Sequence, residues 1–77
     1  MRNWTKIHYG IAHMLGLPEG WGINIIMHKG GFNEVLCFQE GSRGTQTKSY
    51  YGAIKDCVKV AHMWREELWV NENNNGR

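Results

Sequence analysis

The chain of 77 residues has little of what marks several large classes of protein. Its two cysteines could form one disulfide bond, a thin framework beside the several bridges of small secreted domains. No apolar run approaches the ~20 residues that a membrane-spanning helix needs. The formal net charge is only +2, and lysine and arginine are scattered rather than gathered in a basic stripe. We therefore expect a cytoplasmic protein with reduced, buried thiols and no membrane partner.

Large aromatic side chains are the feature that the chain has in abundance. Four tryptophans, two phenylalanines and three tyrosines are present, and each can bury roughly 150–250 Å². They matter because a domain this small buries only about 60% of the surface of its unfolded chain. No linker or repeat divides the sequence. We predict a single α+β domain over residues 1–70, followed by a disordered polar tail over residues 71–77.

The first fifteen residues carry the signals of a short amphipathic helix. Asn3 can cap its first turn by accepting a hydrogen bond from a backbone amide. Apolar side chains then recur at steps of three and four residues, at Trp4, Ile7, Ile11, Met14 and Leu15. Gly16 permits a left-handed end to the helix, and Pro18 prevents its continuation.

From Trp21 onward the apolar period changes to two, which predicts strands. Every second residue from Trp21 to Met27 is apolar, and Lys29-Gly30-Gly31 supplies a hairpin turn. Residues 33–40 are predicted to form the return strand. A second turn over residues 41–44 leads to a polar edge strand over residues 45–49.

A long helix is predicted from about Gly52 to Val70. One apolar stripe of this segment is expected to cover the sheet with Tyr50, Ile54, Cys57, Val58, Ala61 and Leu68. The order of elements is then α-β-β-β-α. The predicted fold class is α+β, a three-stranded antiparallel sheet with two helices packed on one face.

The sequence contains no motif that frames catalytic or metal chemistry. His8 and His13 are five residues apart and would point to different sides of the first helix, and no paired CxxC motif is present. A metal site assembled from Cys37, Cys57 and a histidine stays open as an alternative. No nucleophile stands in a motif with a base and an orienting group. We therefore predict no enzyme activity, no metal and no cofactor.

The last helix carries more apolar surface than one buried face needs, which predicts a contact with a protein partner or with a second copy of the chain. Tryptophan and arginine are enriched at the hot spots of protein interfaces. Arg65 could instead lie along the helix and cover the core with its stem, and this alternative stays open. The predicted interface residues are Val60, Met63, Trp64, Arg65 and Trp69.

The element order, together with Gly16-Leu17-Pro18 after the first helix, resembles a double-stranded-RNA-binding domain. In that family, helix 1, the first hairpin loop and the start of helix 2 contact RNA across successive grooves. The resemblance implies contacts by Thr5, Lys6, Tyr9, His28, Lys29, Lys48 and Lys55, and Arg43 at the second turn is a further candidate. The chain departs from the family at the start of helix 2, where YYGAI replaces a lysine-rich KKxAK.

In size, single-domain build and aromatic content, the chain also resembles small accessory proteins of bacteriophages, including anti-CRISPR inhibitors. Such proteins block a site on a host complex without performing chemistry. We therefore expect a non-catalytic binding protein that docks on a protein partner, as a phage-type inhibitor or as its own dimer. Nucleic-acid binding is the alternative.

Overall fold

A computed structural model describes residues 4–8, 10–40 and 45–75, with the backbone alone at residues 7, 8, 45, 46, 74 and 75. Five strands and one helix follow one another along the chain: β1 (Trp4–His8), β2 (Ile11–Met14), β3 (Trp21–Met27), β4 (Asn33–Gln39), β5 (Thr45–Gly52) and α1 (Ile54–Asn75). The strands form one antiparallel sheet in the order β1-β2-β3-β4-β5. The helix packs on one face of this sheet, mainly against β4.

The predicted N-terminal helix is wrong, because Trp4–His8 and Ile11–Met14 form the paired strands β1 and β2 of a hairpin. Trp4 pairs with Met14 across it, and Lys6 pairs with Ala12. Gly10 at the turn has a φ of 79°. A tight turn between two strands can contain this left-handed conformation, whereas a right-handed helix cannot. A glycine inside a short helix also costs about 1 kcal/mol relative to alanine. The segment gains more by pairing with β3 than by forming a short helix alone.

The predicted α-β-β-β-α fold is therefore wrong as well. The protein is an α+β domain with a five-stranded antiparallel sheet followed by one C-terminal helix, where two helices and three strands were expected. Both N-terminal strands were missed for the same reason. Their apolar residues are spaced in a way that fits a helical stripe and a hairpin equally well, and pairing with β3 decides between them.

The later elements agree better with the sequence pattern. The strand predicted from Trp21 and the return strand from residue 33 are confirmed, and the turn between them contains Gly30 and Gly31 with positive φ. The predicted edge strand lies at an edge of the sheet and is longer than expected. The predicted turn over residues 41–44 lies outside the described residues. The helix ends at Asn75, so it includes most of the segment expected to be a disordered tail.

The core lies between α1 and the sheet. The helix contributes side chains at steps of three and four residues, and the sheet contributes alternate residues of β3 and β4, as periodic burial requires. The buried set consists of Trp4, Met14, Ile23, Ile25, Val35, Cys37, Cys57, Ala61, Trp64 and Leu68.

Both cysteines belong to this core as free thiols. Burial raises the pKa of the Cys57 thiol, and the charge of Asp56 raises it further. The thiol donates a hydrogen bond to the carbonyl oxygen of Gly52, 3.7 Å from Sγ. A thiol held in its protonated form is a poor nucleophile. The predicted burial of the two cysteines is confirmed.

Among the described residues, no helix has both the length and the apolar character required to cross a lipid bilayer.

Candidate functional site

The face of the sheet opposite α1 has no element of the described chain packed on it, and we call it the open face. Residues of β3 and β4 that alternate with the buried core positions point to this side. The pairing register places residues of the other three strands beside them. The open face consists of Thr5, Ile11, His13, Asn24, Ile26, Glu34, Leu36, Phe38, Ser49 and Tyr51.

Apolar side chains occur on both faces of β3 and β4, two of the three inner strands. In β4, Val35 and Cys37 are buried under α1, whereas Leu36 and Phe38 lie half-buried on the open face. An antiparallel sheet with one solvated face usually alternates apolar and polar residues, and strands that are apolar on both faces are typical of sheets covered on both sides. The part of the open face formed by Ile26, Leu36 and Phe38 therefore resembles a surface that becomes buried.

The Phe38 ring contributes to this surface by lying across the neighbouring strand. Its cross-strand partner is Gly22, and the ring occupies the space that a Cβ atom at Gly22 would take. An aromatic ring over a strand glycine covers the backbone that the glycine would leave exposed. The ring is thereby held against the sheet.

Two pairs of polar side chains on and beside the open face are hydrogen-bonded within the fold. The His13 Nδ1 atom lies 2.6 Å from Oδ1 of Asn24, and because an amide oxygen can only accept, the imidazole N–H donates. The His28 Nε2–H donates to Oε1 of Glu34 at 2.9 Å. The atoms that form these two bonds therefore have a partner without water or a ligand.

At one margin of the open face, aromatic rings line up beside Glu34. The His28 and Phe32 rings are stacked with their centroids 4.5 Å apart, and the Phe32 and Tyr51 centroids are 6.3 Å apart. Phe32 is 48% exposed and Tyr51 is 58% exposed. This row of rings extends the open face beyond the strands with aromatic surface that solvent reaches.

Very little charge faces this side of the sheet. Glu34 is the one carboxylate among the described open-face residues, and they include no lysine or arginine. The lysines of the described strands lie elsewhere: the register places Lys6 opposite Ala12 and Lys48 opposite Cys37, both on the helix side. The molecule is therefore divided into a charged helix side and a nearly neutral open face.

The charge of Glu34 predicts an altered titration of Tyr51. A hydrogen bond to the Glu34 carboxylate, together with its negative charge, raises the pKa of Tyr51 above 10.0. Because the folded-state pKa is raised, this contribution to stability is complete below pH 10 and is lost as the pH rises through the raised pKa. We expect Glu34→Gln to lower the pKa of Tyr51 toward 10.0, measured by ultraviolet difference spectroscopy with Tyr51→Phe to assign the signal. An unchanged titration in Glu34→Gln would show that another group raises the pKa.

The predicted interface on the last helix is divided between the core and the surface. Trp64 is buried at 7% exposure, and Val60 packs partly against the core. Met63 is 52% exposed on the far side of α1, and Trp69 is 45% exposed. Of the four apolar residues of the predicted interface, two are therefore exposed and two pack wholly or partly in the core.

Arg65 and Trp69 connect α1 to the segment between β2 and β3. Arg65 Nη1 donates to the carbonyl oxygen of Leu15 at 3.3 Å, and Trp69 Nε1 donates to the carbonyl oxygen of Gly16 at 2.8 Å. Arg65 also lies 3.3 Å from the His62 ring nitrogen. The polar atoms of both side chains are therefore engaged within the fold.

We expect Trp69→Phe to lower the free energy of unfolding by about 1 kcal/mol, because it removes the indole donor and leaves the Gly16 carbonyl without this partner. Urea denaturation followed by circular dichroism measures the change. Val70→Ala, at the neighbouring exposed position, is the control and is expected to change stability by less than about 0.5 kcal/mol. Equal stabilities for Trp69→Phe and the wild type would mean that the indole bond adds nothing and that Trp69 is available to a partner.

The residues proposed to contact nucleic acid are not brought together on one surface. Lys48 forms an ion pair with Glu67 at 2.7 Å, and its Nζ lies 5.6 Å from the Trp64 ring centroid. His28 is bonded to Glu34. The others are spread over the molecule: Thr5 is on the open face, Lys6 is on the helix side of β1, Lys29 is in a turn and Lys55 is on α1, while Tyr9 and Arg43 lie outside the described residues.

The described residues give little support to a small-molecule site or a metal site. A groove of about 590 Å³ lies at the turn end of the first hairpin, lined by Trp4, Ala12, Met27 and neighbouring residues. Within residues 4–8, 10–40 and 45–75, no three histidine, cysteine, aspartate or glutamate side chains gather into a metal-binding group. The alternative metal site with both cysteines gains no support, because the two thiols lie in the apolar core.

Comparison with known proteins assigns the chain to no family: no protein-family model, curated protein or solved structure matches it. The resemblance to double-stranded-RNA-binding domains was carried by an α-β-β-β-α order, and the fold has the β1–β2 hairpin where that order requires helix 1.

Sequence reasoning missed the open face as a candidate site. The signal was present in Val35-Leu36-Cys37-Phe38 and in Ile25-Ile26, where apolar residues occupy consecutive positions of a strand. Consecutive apolar residues point to opposite faces. From this pattern we predict a strand in the middle of a sheet that has one exposed face, but we place no candidate site on that face.

Proposed function

We propose that this chain is a non-catalytic binding protein that docks through its open face on an uncharged, apolar surface of a protein partner, which is a different protein or a second copy of the chain. The supporting observation is that β3 and β4 present Ile26, Leu36 and Phe38 on the face that α1 leaves uncovered. Burying such a surface stabilises association by about 25 cal/mol per Å² before the costs of association are subtracted.

The charge distribution favours a protein partner over a nucleic acid. Binding to nucleic acid draws much of its affinity from lysine and arginine that neutralise phosphates. The described open face has neither residue, and the ammonium of Lys48 on the helix side is already paired with Glu67. Inhibition of a host complex in the manner of phage accessory proteins, and a cytoplasmic location, remain predictions from the sequence.

Affinity capture with matched variants tests the proposal. Ser49 is exposed on β5 and lies opposite Leu36 in the register, so Ser49→Lys places a cation on the open face without removing core packing. Met63→Lys places the same charge on the exposed side of α1. We expect Ser49→Lys to reduce the recovery of the bound protein at least tenfold, since the buried charge would lack a partner, and Met63→Lys to leave it unchanged.

Two results would contradict the proposal. Loss of the bound protein in Met63→Lys with retention in Ser49→Lys would assign docking to the last helix, as the sequence predicted. Loss of the bound material after nuclease treatment, with binding that falls steeply as salt rises, would assign the chain to nucleic acid.

A further inference from the structure

We infer that the occupant of the open face is a second copy of this chain, docked face to face so that two five-stranded sheets form a β-sandwich. This inference rests on the proposed function and names the partner. Three properties of the open face support it: its charge, its size and the hydrogen bonds between polar side chains within one copy.

The first property is that the open face can oppose itself without electrostatic repulsion. In a twofold-symmetric dimer, the same patch is present on both sides of the interface, so every charge meets its own kind. A face rich in lysine or in carboxylates would repel its copy. The described open face carries one carboxylate, Glu34, which lies at the margin and is bonded to His28. The middle of the face is neutral, with Asn24 and Leu36 paired in the register.

The second property is the area of the face. Strands about 4.8 Å apart and a rise of about 3.3 Å per residue give the five strands, which have four to eight residues, a planar area of about 500 Å². Two such faces together remove about 1,000 Å² of planar area from solvent, before the extra surface of protruding side chains is counted. This area reaches the lower limit of the total surface that a specific protein–protein interface buries. Sheets packed in this way lie about 10 Å apart with side chains interleaved, as the half-buried Ile26, Leu36 and Phe38 would permit.

The third property is that two pairs of polar side chains on and beside the face are already hydrogen-bonded within one copy. His13 is bonded to Asn24, and His28 to Glu34. Burial against an apolar surface is unfavourable for unpaired polar groups but much less so for paired ones. A second copy presents the same two pairs, so these four side chains keep a hydrogen-bond partner when the two faces meet.

Sedimentation equilibrium of the purified chain at protein concentrations from the low micromolar range to about 500 µM tests the inference, because interfaces at the small end of the range form weak complexes. We expect the mass to rise from 8.9 kDa toward twice that value, with a dissociation constant on the order of 10 µM to 100 µM. Ser49→Lys is expected to weaken the dimer at least tenfold, and Met63→Lys is expected to leave it unchanged.

An experiment with opposite charges on two copies of the chain tests specifically whether the open face of one copy docks on the open face of the other. Leu36 lies near the middle of the face, where a twofold axis would bring the two copies of the residue close together. We expect Leu36→Lys alone and Leu36→Glu alone to be monomeric, and their equimolar mixture to dimerise. Circular dichroism of each variant confirms that it folds, and Ser49→Lys with Ser49→Glu replaces the pair if it does not.

A mass of 8.9 kDa at every concentration would overturn the inference and leave the proposed function to be decided by affinity capture with Ser49→Lys. A dimer that persists in Ser49→Lys, or that is lost in Met63→Lys, would also overturn it, since the copies would then meet through another surface. If the chain is monomeric and capture is also insensitive to Ser49→Lys, the inference and the proposed function fail together.

Discussion

Replacing Trp64 with alanine is expected to lower the free energy of unfolding by about 3–5 kcal/mol, as is typical of a buried tryptophan. The indole is 7% exposed and packs in the core between α1 and the sheet. For a small domain this loss is a large fraction of a total stability of about 5–15 kcal/mol. Urea denaturation followed by circular dichroism gives the change directly, without relying on tryptophan fluorescence.

Met63→Ala is the matched control, because Met63 precedes Trp64 on the same helix and is 52% exposed. It is expected to change stability by less than about 0.5 kcal/mol. The sequence placed both residues in the predicted interface of the last helix. The two variants distinguish a residue that packs in the core from one that lies on the surface. If Trp64→Ala and Met63→Ala were equally stable, Trp64 would be a surface residue available to a partner, and the packing of α1 described above would be incorrect.

Replacing Gly10 with alanine is expected to destabilise the fold by about 1–3 kcal/mol. Gly10 adopts a φ of 79° at the β1–β2 turn, and a Cβ atom there would lie 3.1 Å from the carbonyl oxygen of Met27. The sign of the effect distinguishes the hairpin from the helix predicted for the same residues. In the middle of a helix, glycine to alanine would stabilise by about 1 kcal/mol.

At Gly10, alanine has two unfavourable effects: it must adopt a positive φ, and its Cβ atom lies close to the Met27 carbonyl oxygen. Gly30→Ala separates these two effects. Gly30 has a φ of 97° with no atom within 4 Å of the Cβ position, so its replacement reports conformational cost alone. We expect Gly10→Ala to be the more destabilising of the two, because the tight contact with Met27 is added. Stabilisation by Gly10→Ala would contradict the hairpin.

The sequence predicted the elements whose apolar pattern fits only one kind of secondary structure. Period-two alternation from Trp21 and glycines that accept positive φ predicted β3 and its turn. Of the stripe predicted for the last helix, Cys57, Ala61 and Leu68 are buried and Val58 is partly buried. The stripe is wrong at its start, because Ile54 is exposed and Tyr50 is an exposed residue of β5. The first fourteen residues have two interpretations. Their spacing fits a helix, whereas β-branched and aromatic residues with a central glycine fit a hairpin, and the choice depends on β3, which lies later in the chain.

The candidate site could be predicted only in part, because it depends on which face of the sheet the helix covers. Val60 and Trp64 were assigned to an interface from the excess of apolar residues on α1, but a small domain uses both against its core. Leu36 and Phe38 were identified as strand residues. Their place on an uncovered face follows from the pairing of five strands and from the position of the single helix, neither of which the local pattern contains.

Methyl chemical shifts measured as a function of protein concentration show whether the open face is the docking surface. We expect concentration-dependent shifts at the methyl groups of Ile11, Ile26 and Leu36, and constant shifts at Met63 and Val70 on the far side of α1. Shifts confined to Met63 and Val70 would contradict this expectation and assign the contact to the helix. Shifts that stay constant at all five residues would contradict self-docking through the open face.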